Sequence, residues 1–146
     1  MSLISELETR TSGSQSQATM HHNDLADMDL QEGNPRGAQA RLSQAAEQII
    51  ALGDPDTLII AALTFGAAIG DLEPLLCAKV YGCAHHASVV EGIPNDKYGE
   101  AEDRKVMDRV RALTDGQAFD RAYESGPGED LVELVRQMAA LPVPDE

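Results

Sequence analysis

The chain has 146 residues, with 25 Asp and Glu against 11 Lys and Arg, a formal net charge of −14, two Phe, three Tyr and no Trp. That length suits one domain with one hydrophobic core, and a core short of aromatic rings must be built from Leu, Ile, Val, Ala and Met, which favours helix packing over a β-sandwich. A field of that sign repels phosphate backbones and anionic lipid, so it disfavours nucleic-acid and membrane-surface binding and favours a basic protein partner.

Residues 1–33 are expected to form a flexible polar and acidic arm. Thr, Ser, Gln and Gly dominate from Thr9 to Thr19, with nothing to bury. Leu3, Ile4 and Leu7 make one amphipathic turn and Leu25, Met28 and Leu30 another, each too short to hold a helix alone. On this reading, removing residues 1–30 leaves thermal stability nearly unchanged. Asp24, Asp27, Asp29 and Glu32 are the candidate contacts for a basic partner. The Asp24–Asp29 stretch lacks the glycine and terminal glutamate of a calcium loop. No metal or cofactor is expected.

A single helical domain is then predicted over residues 34–146. Asn34-Pro35 reads as a cap followed by proline at the first helical position, and Ala38, Leu42, Ala45, Ile49 and Leu52 recur at helical spacing up to Gly53. A central helix is predicted over about 55–69, where Leu58 to Ile69 has no polar face and must be covered by neighbours. Ile60 and Leu63 are both expected inside it. A third helix runs from Asp71 to about Glu91, its stripe being Leu72, Leu76, Val80, Cys83, Ala87 and Val90. Gly92-Ile93-Pro94-Asn95 is a break. The fourth helix, about 96–113, carries Tyr98, Ala101, Val106, Val110 and Leu113. Short helices over about 115–125, with Phe119 and Tyr123, and about 129–141, with Leu131, Leu134, Val135, Met138 and Leu141, complete an all-α bundle of six short helices.

Chemistry concentrates on the third helix, in Cys77, Cys83, His85 and His86. The two cysteines stand roughly 9 Å apart along one helix, too far for a disulfide, so they read as buried thiols. Cys83 and His86 share a helix face, whereas His85 and His86 diverge by roughly 100°. A closed zinc site needs two more ligands, and no second Cys/His pair occurs in residues 34–146. Neither a glycine-rich phosphate loop nor a Gly-x-Ser-x-Gly elbow is present. Glu91, Asp96 and Glu100 around the Pro94 turn read as capping groups.

His85-His86 followed by Gly92-Ile93-Pro94 and a helix at Lys97 resembles the helix–turn–helix of the carboxymuconolactone decarboxylase and alkylhydroperoxidase-like proteins. Gly128 to Leu141 is similar to their later Val/Leu-rich helix. The resemblance implies a small helical enzyme or redox protein whose reactive residues would be Cys83 with His85 or His86. The Cys-x-x-Cys motif of the peroxidase branch has no counterpart here.

The functional expectation is a small acidic, bacterial-type, cytoplasmic protein-interaction module: an inhibitor, an immunity-type protein or a chaperone for a basic or amphipathic protein, with self-association open to it. The enzyme or redox reading on Cys83, His85 and His86 is the first alternative. A bacterial secreted effector is the second, because the Ser/Thr/Gln-rich first twenty residues are similar to type III secretion leaders. The cytoplasmic placing rests on Glu6 and Glu8 and on an apolar run of about twelve residues, against the roughly twenty that span a bilayer.

Overall fold

The computed structural model describes residues 22–93 and 97–144, with seven α-helices, one 3-10 turn and no strand among the described residues. The expected Leu3–Leu7 turn, the Thr9–Thr19 stretch, the Tyr98 side chain and Asp96 lie outside them. In chain order the helices are α1 (22–31), α2 (Pro35–Leu52), α3 (Pro55–Ile69), α4 (Pro74–Val90), α5 (Lys97–Arg111), α6 (Gly116–Ser125) and α7 (Leu131–Ala140). The all-α bundle expected from composition is what forms.

Local chemistry fixes most boundaries. The Asn34 side chain accepts from the Gly37 amide at 3.1 Å, and Gly53 ends α2 in the left-handed region at φ 70°. Thr57 donates to the Asp54 carboxylate at 2.6 Å across the first turn of α3. Asp115 and Asp130 cap α6 and α7 through the Gln117 and Val132 amides, each at 3.0 Å. The third predicted helix starts later than expected, at Pro74 rather than Asp71. Proline lacks an amide hydrogen and sits best in a first turn, so it sets the start.

Helix α4 is the hub. It packs on α3 on one side and on α6 and the Gly126–Gly128 turn on the other, with lighter contact to α5. Helix α7 lies across α2 and α3. The core runs through Leu42, Ile49, Phe65, Ile69, Val80, Tyr81, Leu134 and Met138, all fully buried. Gly82 and Gly126 bring α4 and the end of α6 into backbone contact. A Cβ on Gly82 would meet the Tyr123 carbonyl oxygen, and one on Gly126 the Lys79 carbonyl oxygen and the Cys83 amide nitrogen.

Two expectations are corrected. The first is the arm boundary at residue 33: residues 22–31 are helical and belong to the bundle. Ala26 is completely buried, Leu30 packs on the core, and Asp29 pairs with Arg41 of α2 at 3.3 Å. A ten-residue helix is marginal in isolation, and the seating of Ala26 and Leu30 on the core supplies what the local sequence lacks. Removing residues 1–30 is therefore expected to lower the melting temperature by more than about five degrees, read by circular dichroism. An unchanged melt would show that α1 contributes nothing to the bundle.

The second is the outer surface of the apolar helices. Ile60 is 41% exposed and Leu63 only half-buried, because α2, α4 and α7 leave one line of α3 uncovered. The ends of the predicted α4 stripe, Leu72 and Val90, are exposed, and so is Leu113 beyond α5. The buried face of α4 is confined to its middle, from Cys77 to Ala84, where α3 and α6 cross it. No helix among the described residues is long and apolar enough to cross a membrane.

Candidate functional site

Chemistry-bearing side chains of three helices meet at His85. Its Nε2 lies 2.8 Å from Oδ2 of Asp103 on α5, and its Nδ1 lies 2.8 Å from the Tyr123 hydroxyl on α6. The rings of Tyr81 and Tyr123 stand edge-on to it, at 5.7 and 5.8 Å between centroids. A carboxylate only accepts, so the neutral ring carries its proton on Nε2, toward Asp103, and accepts from the Tyr123 hydroxyl at Nδ1. Burial, and then the Asp103 charge, push the Tyr123 phenol up, which keeps it protonated. Both ring nitrogens are thus committed, and the trio ties α5 and α6 to α4.

The predicted trio of Cys83, His85 and His86 does not converge. Cys83 is buried and its Sγ donates to the Glu129 carbonyl at 3.4 Å, while His86 is exposed. Successive residues of a helix face different neighbours, and here those neighbours are the Gly126–Gly128 region, the Asp103–Tyr123 pair and solvent. No group of three or more His, Cys, Asp or Glu that would hold a metal ion occurs among the described residues.

Both thiols are buried, which disfavours the thiolate. Burial pushes the Cys77 thiol up to about 12 from its ordinary 9.0, and burial with Asp130 and Glu129 nearby pushes Cys83 up as well. The unfolded chain therefore ionises Cys77 first as pH rises. Its contribution to stability is complete below about pH 9 and is lost as the pH climbs through about 12. Native protein at pH 8 is expected to react with a disulfide reagent far more slowly than protein in denaturant, which should show two thiols per chain. Fast native reaction at either cysteine would overturn this.

Two concavities flank the His85–Asp103 contact, with Asp103 lining both. On one side lies a groove of about 420 Å³ between α4 and α5, walled by Val89, Ile93 and Met107 with Glu100, Asp103 and Arg104 at its edge. On the other lies a trough of about 480 Å³ between α1 and α5, floored by α3 and Tyr81. Of the arm residues expected to bind a partner, Asp27 lines the trough and is bonded to Gln31, and Asp29 is paired with Arg41. Asp24, exposed on α1, and Glu32, exposed in the turn after it, do not join them. Among the capping carboxylates, Glu91 is exposed and Glu100 reaches the groove.

Asp103 and Tyr123 were not singled out from sequence for this site. They lie 18 and 38 residues from His85, so no local spacing marks them. No protein-family model, no curated protein and no solved structure matches the chain.

Proposed function

We propose that the chain is a small acidic protein-interaction module that receives a basic, amphipathic segment of a partner protein along the α4–α5 groove. The observation that carries this reading is the apolar ledge at the end of α4, where Val89 is 79% and Val90 67% exposed. Val89 continues into the groove beside Ile93 and Met107, and Glu100 and Asp103 stand at the edge with one cation, Arg104. Apolar side chains of a partner would fill the groove, while its Lys and Arg residues would meet a surface carrying a net charge of −14. An inhibitor, an immunity-type protein or a chaperone would each use such a surface, and the cytoplasm is the compartment that suits it.

Cysteine–histidine chemistry gains no support, since Cys83 and His85 are bonded to different parts of the bundle. The experiment is capture at low salt from lysate with wild type and with Val89→Asp/Val90→Asp. Each valine, if buried on binding, contributes about 1.5–3 kcal/mol, so the double variant should lose a stoichiometric partner while melting like wild type. Equal capture by both proteins, or recovery of background alone, would overturn the reading. A second copy of the chain in the wild-type complex would redirect it to self-association.

A further inference from the structure

We propose that His85 is an acid-operated clasp on helix α5: protonation of its ring turns the hydrogen bond to Asp103 into an ion pair and tightens α5 against α4. What carries the inference is the placement of both ring nitrogens. Nε2 lies 2.8 Å from Oδ2 of Asp103 on α5, and Nδ1 lies 2.8 Å from the Tyr123 hydroxyl on α6. The neutral ring donates to Asp103 and accepts from Tyr123. A proton added to it goes to Nδ1, which then donates along the same line to the phenol oxygen. Tyr123 is only half-buried, so its hydroxyl hydrogen is free to turn toward water. No heavy atom has to move between the two states.

The two states do not hold α5 equally. Ion pairs on open surface gain little, because water screens them. Here the side chains of His85 and Asp103 are 24% and 14% exposed, so the pair is largely shielded and its attraction is felt. The groups around the ring can be named element by element. Helix α5 brings Asp103, with Glu100 and Arg104 along the groove that His85 also lines. On the trough side of Asp103 stand Asp27, Asp71, Glu102 and Arg109. Helix α6 brings Tyr123, and α4 itself brings Tyr81, edge-on at 5.7 Å, and the exposed His86. The ionisable residue of α3, Asp56, is exposed in its first turn, and Glu133 and Arg136 of α7 are exposed and paired with each other. Imidazole is the side chain that ordinarily changes charge between about pH 5 and 8. The extra hold is therefore present at the acid end, where the ring is charged, and is lost as rising pH removes its proton. The Arg109 contacts to the Ala67 carbonyl and Asp71 involve no imidazole and persist throughout. The clasp concerns how one wall of the α4–α5 groove is held, and it does not require that a partner docks there.

The test is amide hydrogen exchange of the intact chain at about pH 5.5 and about pH 7.5, corrected for intrinsic rates, with the imidazole carbon shifts of His85 read at both. A chain of net charge −14 loses self-repulsion throughout on acidification, so α3 serves as the reference. Protection of α5 is expected to rise on acidification by at least about threefold more than that of α3. His85→Gln keeps an amide donor for Asp103, and Asp103→Asn keeps an acceptor for His85, yet each should abolish the excess because neither can form the ion pair. A His85 ring that stays neutral at the acid pH, no excess in wild type, or an excess that survives in either variant would overturn the proposal.

Discussion

Gly82→Ala is expected to be the most damaging single-methyl change in the protein. The added carbon would sit far inside van der Waals contact of the Tyr123 carbonyl oxygen, and backbone, unlike the end of a flexible side chain, has little room to yield. Overpacking in a sound core costs about 1–3 kcal/mol, and here helix α6 must be pushed off α4, so the expected loss is above about 3 kcal/mol. That is a large share of the roughly 5–15 kcal/mol available to a domain of this kind. Urea denaturation followed by circular dichroism should show a midpoint far below wild type. Gly128→Ala is the control: nothing lies within 4 Å of its added carbon, and its effect should stay within about 0.5 kcal/mol. Equal midpoints for the two variants would mean that α4 and α6 do not cross as closely as described.

The second large effect is expected at Phe65. Its ring is 1% exposed at the centre of α3, and Phe65→Ala should cost about 3–5 kcal/mol through lost burial and an unfilled cavity. Ile60 lies on the same helix and is 41% exposed, so Ile60→Ala should cost under about 1.5 kcal/mol. Comparing the two in one helix holds backbone propensity nearly constant and isolates burial. Similar losses at both positions would mean that Ile60 is covered in solution, most simply by another molecule.

Helix punctuation was the legible part of this fold. Asn34-Pro35 and the Gly53-Asp54-Pro55 junction act within a few residues, so their effect can be read locally. What was not legible depends on partners distant in sequence. Helix α1 has too few apolar positions to announce itself, and it persists because Ala26 reaches a core built by other helices. The uniform apolarity of α3 concealed which line of it faces out, since no polar residue marks that side. The candidate site shows the same division. His85 drew notice through its neighbours Cys83 and His86, yet its actual partners are Asp103 and Tyr123, brought in by α5 and α6.

Helix α5 forms a wall of both concavities, yet Val110 is its one fully buried side chain among those described. Val106 and Met107 are half-buried, and much of the remaining attachment is polar, through Asp103 and Arg109. Lifting this segment away uncovers little hydrocarbon compared with opening α2, α3 or α7, so it should be among the first units to detach below global unfolding. Its amide protons would then exchange with solvent deuterium earlier than those of α3, and in that opened form both concavities lose a wall at once. Anything bound in either would have to leave or hold α5 down, so occupancy at one would be sensed at the other as slower exchange along the same fifteen residues.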